Sequence, residues 1–117
     1  MRDWTPLRER YLRDPLPIQL GGIAANLERI RVYSQHESRC SLVENMIDES
    51  KYLIEWIGAG ADLEAQTELV DIQIQLAVWQ LNWQAIWNDV ERRQQVARQA
   101  GQWSERLLEL SGVLNAE

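Results

Sequence analysis

Apolar residues recur along this chain at three- and four-residue spacing, and one stretch dominates the pattern. Ile72 to Asn88 reads IQIQLAVWQLNWQAIWN, without a charged residue, between Asp71 and Asp89. Trp79, Trp83 and Trp87 fall inside it at intervals of four. A helix turns by about 100° per residue, so the three rings form a slowly drifting stripe along one side. Two apolar lines flank this arrangement. One runs through Leu69, Ile72, Leu76, Trp79, Trp83, Ile86 and Val90, the other through Val70, Ile74, Val78, Leu81 and Ala85. Only a seam of glutamine and asparagine separates them, and a helix apolar over most of its circumference is expected to be buried on several sides. The alternation of Ile72, Ile74, Leu76 and Val78 also fits a strand. The uncharged run is far longer than a usual strand and contains no turn residue, which decides for helix.

The rest of the chain repeats the helical pattern. Thr5-Pro6 is a start signal for a short helix to about Arg13, within an N-terminal arm of residues 1–14, and Asp14-Pro15 is a second start. The stripe Leu16, Leu20, Ile23, Leu27 and Ile30 predicts a first main helix to about Ser34. Gly21-Gly22 inside it costs roughly 1 kcal/mol per glycine against alanine, which points to the close approach of a neighbouring helix or a bulky ring. After a polar turn over Gln35–Arg39, Ser41 and Glu44 have the spacing of a capping box before a helix that ends at Gly58-Ala59-Gly60, where a left-handed C-cap is expected. Asp62 caps the helix that contains the tryptophan stretch. Beyond Asp89 apolar residues return from Val96 to Leu114. A single helix over residues 62–111 would be about 75 Å long, twice the reach of the helices before it. The chain therefore either breaks between Asn88 and Gly101 or extends an overhang to a second subunit. No proline follows Pro17. The expected fold is an all-α antiparallel bundle of three to four main helices, the third long and largely buried, in one domain over residues 1–117.

Bulk properties narrow the class. The chain has 117 residues, 45% hydrophobic and 26% charged, with a net charge of −6. That is the balance of a soluble globular protein, and the negative charge speaks against nucleic acid or an anionic membrane as the default partner. The N-terminus lacks the apolar core of a signal peptide, the central run is short of a bilayer span and rich in amides, and the single Cys40 fits a reducing compartment. A cytoplasmic location is expected. Acids cluster between Glu37 and Asp71 and arginines between Arg92 and Arg106. These blocks can lie against each other within one bundle, or steer two copies into an antiparallel pair.

Catalytic constellations are scarce. One histidine and one cysteine cannot build a zinc site, and the Glu-x-x-His pairs of a di-iron bundle are missing, so no cofactor is expected. Arg31 and His36 form Arg-x-x-x-x-His, which is similar to the motif of HEPN-family ribonucleases, small helical domains that dimerise around a composite site. That resemblance implies catalytic roles for Arg31 and His36 without a metal. The chain departs from the family pattern in having Val32 after the arginine and in placing the pair late in the first main helix. A third reading takes Trp79, Trp83 and Trp87 as the wall of a pocket for a flat apolar ligand. Three buried tryptophans remove roughly 450–750 Å² from water, worth on the order of 10–20 kcal/mol before entropy. A stable monomer does not leave such an area exposed. The preferred expectation is a non-catalytic interaction or regulatory module, homodimeric through the tryptophan-rich helix, with the same three tryptophans at the partner- or ligand-binding face.

Overall fold

The computed structural model describes residues 3–112 and contains, among them, α-helices and two short 3-10 turns but no strand. The helices are α1 (Thr5–Leu12), α2 (Leu16–Tyr33), α3 (Cys40–Ile57), α4 (Leu63–Leu81), α5 (Trp83–Trp87) and α6 (Val90–Ser111). Leu114, the last position of the final apolar stripe, lies outside the described residues. The four long helices form an up-down-up-down ring in which α2 and α4 each touch both α3 and α6. Ser34 of α2 lies beside Val90 and Ala97, whereas Ala24 accepts a hydrogen bond of 2.8 Å from Ser104, so α2 and α6 run antiparallel.

The stripe of α2 packs as the spacing predicts: Leu20, Ile23, Leu27 and Ile30 are buried, and Val43, Ile47, Ile54 and Ile57 of α3 meet them in the core. The most extensive helix pairing is α2 with α6. Small residues permit that approach. Ala24, Ala100 and Ser104 are buried between them, and a Cβ on Gly101 would stand 2.7 Å from Cδ of Arg31. Gly22 has the bulky neighbour that its position implied, since a Cβ there would stand 3.1 Å from the Tyr11 ring. Gly21 has open space around it.

α1 is fastened to the bundle by aromatics and by one reciprocal pair. Trp4 packs on Tyr52 at a centroid distance of 4.5 Å, and Tyr11 on Trp56 at 6.4 Å. The Tyr11 hydroxyl donates to the Gln19 carbonyl, while Gln19 Nε2 donates to the Tyr11 carbonyl at 3.2 Å.

Two helix boundaries differ from expectation. α3 starts at Cys40, directly out of the 3-10 turn Glu37–Arg39, with no side-chain cap, so Ser41 and Glu44 do not form a capping box. Gly58–Gly60 form a second 3-10 turn that tightens the helix end with ordinary negative φ, and the one positive φ among the described residues is at Gly112. Asp62 caps α4 as expected, accepting from Ala65 N at 2.8 Å.

Burial, and secondarily the Asp14 carboxylate, raise the Tyr11 hydroxyl well above its ordinary pKa of 10.0. The folded chain keeps a proton that the unfolded chain releases. Stability from this group is therefore fully present below about pH 10 and is lost as pH rises beyond it. Tyr11→Phe should lower stability at neutral pH by about 1 kcal/mol through loss of the hydroxyl bond. Urea titrations at increasing alkaline pH should show a decline for the native chain that is smaller in this variant.

Candidate interaction surface

The uncharged stretch does not continue as one helix. Asn82 Nδ2 donates to the Val78 carbonyl at 3.0 Å, the acceptor that an uninterrupted helix would offer to the Asn82 backbone N–H. That N–H turns to Trp79 O at 3.1 Å, and α4 stops at Leu81. After the single turn of α5 the chain stops again at Asn88. Asp89 then caps α6, its Oδ1 accepting from Glu91 N at 3.0 Å and Arg92 N at 3.3 Å. The chain thus breaks twice, first at Asn82, ahead of the expected interval from Asn88 to Gly101, and again at Asn88–Asp89 at its start, and α6 returns along α4 and α2 instead of leaving an overhang.

This return covers the tryptophans within one chain. Trp79, Trp83 and Trp87 are all buried. Trp79 packs on Trp103 of α6 at 5.6 Å and Trp83 on Trp87 at 5.3 Å between centroids. The Trp87 indole N–H donates to Glu37 O at 2.9 Å, and the Arg93 guanidinium lies 5.2 Å over the Trp87 ring. The buried Trp83 Nε1 has no hydrogen-bond partner. All three rings therefore lie in the core, and of the three only Trp79 also lines an open groove, between α4, α5 and α6.

The second apolar line has the opposite fate. Val70, Ile74, Val78 and Leu81 are exposed by 53%, 59%, 43% and 85%, Ala85 is exposed too, and Leu63 at the start of α4, 78% exposed, extends the line. Leu63, Thr67, Val70, Ile74, Val78 and Leu81 fall within about 40° of one line along α4, and the buried Ala65, Leu69, Ile72, Leu76 and Trp79 fall within about 40° of the opposite line. One helix thus carries two apolar faces, one in the core and one in water. The expectation of a helix buried on several sides is corrected accordingly: one side is uncovered in the single chain. These exposed aliphatics line up along about 27 Å of the helix instead of being scattered.

The flanks of the stripe are polar and differ from each other. Toward α3, amides tie the helices together: Lys51 Nζ donates to Gln80 Oε1 at 2.6 Å, and Gln80 Nε2 to Asp48 Oδ1 at 3.2 Å. Toward α6, Arg106 binds Glu64 at 2.8 Å and Glu68 at 3.2 Å. The Glu68 and Glu64 bonds raise the Arg106 pKa and hold its guanidinium charged. Further along the same flank an open groove of about 440 Å³ lies between α4, α5 and α6. Gln75, Asn82, Gln99, Arg92 and Arg98 rim it above Val78 and Trp79.

Arg31 and His36 stand apart from each other in the single chain. The Arg31 Nε donates to both Glu28 oxygens at 3.0 Å, and the carboxylate raises the guanidinium pKa while its own falls through the same contact. His36 stands exposed where the chain enters the 3-10 turn. No hydrogen bond or ion pair joins the two. Among the described residues no group of three His, Cys, Asp or Glu side chains is placed to hold a metal ion, and no helix is long and apolar enough to cross a membrane. In comparison with known proteins, no family model, curated protein or solved structure matches this chain.

Sequence reasoning marked the Arg92–Arg106 block as a whole but did not place Arg92 and Arg98 at a groove, and it did not single out Leu63 or Asp89 as functional or structural anchors. Asp89 carried a readable signal, an N-cap residue followed by Glu91 in the first turn. Asp89→Ala should cost about 1 kcal/mol through the lost cap. Urea denaturation should show this as a lower midpoint at unchanged slope.

Proposed function

We propose that this chain is a non-catalytic interaction module that pairs with a second copy of itself through the outer face of α4. The observation that carries this reading is the exposed stripe from Leu63 to Leu81 on a helix whose other face already fills the core. The exposed parts of these aliphatics gain nothing in the single chain, while their burial is favourable at about 25 cal/mol per Å². The helical ribbon measures about 27 Å by 10 Å, whereas a standard interface covers about 800 Å² per partner. The stripe is thus the apolar centre of a modest, reversible interface whose polar edges supply the remaining area. A ribonuclease site at Arg31 and His36 draws less support, because the Arg31 guanidinium is engaged by Glu28 and His36 stands apart from it.

Sedimentation equilibrium at micromolar concentration should show reversible dimers of the native chain. Ile74→Glu should be monomeric over the same range, with unchanged helical circular dichroism and stability within about 0.5 kcal/mol, as befits an exposed site. A native chain that sediments only as a monomer contradicts the reading.

A further inference from the structure

Resting on that self-pairing, we propose that the two copies meet antiparallel about an axis beside Ile72, so that Glu64 of each copy seats against the Arg92–Arg98 groove of the other. Leu63 and Leu81 stand equally far from Ile72 along the chain, and so do Val70 and Ile74. An antiparallel two-fold through this point sets Leu63 of one copy opposite Leu81 of the other, and Val70 opposite Ile74. Four of the five apolar positions are thus self-complementary, as an isologous interface requires, while Val78 falls opposite Gln66 at the edge of the stripe.

A parallel pair would also match apolar to apolar, so charge decides the direction. The N-terminal half of α4 is acidic on its α6 side, with Glu64 and Glu68. The far end of the same flank is basic, with Arg92 and Arg98 at the groove. Neither arginine has an ion-pair partner among the described residues. A parallel pair brings acidic end to acidic end. The antiparallel pair brings each acidic end to a basic one.

The distances agree with this direction. Glu64 lies about 80° round the helix from the stripe and about 12 Å before Ile72 along the axis. Val78 and Asn82, which border the groove, lie about 9–15 Å beyond Ile72. A two-fold axis perpendicular to both helices leaves the α6 sides of the two copies on the same side of the pair, so Glu64 arrives over the groove. Its carboxylate accepts from more than one donor and can keep Arg106 while taking a second guanidinium. The same operation brings Asp71 close to its own counterpart across the axis, a like-charge contact that limits affinity.

The orientation is tested by cross-linking full-length chains in a Cys40→Ser background. One preparation carries Leu63→Cys and a second, distinguished by a larger tag, carries Leu81→Cys. A short bis-maleimide should link the mixed pair and leave each preparation alone unlinked. Self-links of Leu63→Cys and of Leu81→Cys without mixed links overturn the antiparallel arrangement while leaving self-pairing intact. A monomeric native chain in sedimentation removes the pairing itself, so the two failures are distinguishable. The charge contact has its own readout in dimer dissociation constants. Arg92→Glu with Arg98→Glu should weaken the dimer about tenfold, as two partly exposed charge contacts per dimer allow. Asp71→Asn should tighten it a few-fold. An unchanged constant in the double arginine variant overturns the groove contact.

Discussion

The Trp79–Trp83–Trp87 stripe must be covered, and the chain covers it by stopping α4 and α5 at Asn82 and Asn88 and sending α6 back from the Asp89 cap. Much of the remaining architecture depends on that return. It sets Trp103 against Trp79 and brings Arg106 to Glu64 and Glu68. It also lays Ala100, Gly101 and Ser104 on α2 at a separation that larger residues would not allow. Without the return, the large apolar area of the rings would stand in water with half of a long helix unsupported.

Meeting this constraint on one side of α4 leaves the other side unmet. The core takes the line through Leu69, Ile72, Leu76 and Trp79, and α3 and α6 occupy the two flanks. Among the described residues no helix lies above the outer line from Leu63 to Leu81. Its two borders are unlike: an amide network toward α3, and toward α6 an acidic start followed by a groove with arginines. The proposed self-pairing rests on this apolar centre and on the change of sign along its α6 border.

Much of the fold was legible because helical spacing and caps are local. The Leu20, Ile23, Leu27 and Ile30 stripe, the Asp62 cap and the need for a bulky neighbour at Gly22 all follow from short stretches of sequence. Asn82 was less legible, since its effect arises from one side-chain bond to the Val78 carbonyl in a segment otherwise suited to helix. Gly58–Gly60 misled because glycine permits a left-handed cap without requiring one. The candidate surface was half legible. Both apolar lines of α4 could be drawn from spacing, but which of them faces inward depends on where α6 returns, a tertiary matter. The rings drew attention to the line that became core, while the smaller aliphatics formed the exposed face.

The central claim, that the outer face of α4 is the working surface of this protein, is tested most directly by backbone amide NMR spectra of the native chain over a dilution series. Concentration-dependent shifts should appear from Leu63 to Leu81 and around Arg92 to Arg98, while the buried amides of α2 stay fixed. Spectra that do not change with concentration, or changes centred on α2, would contradict it.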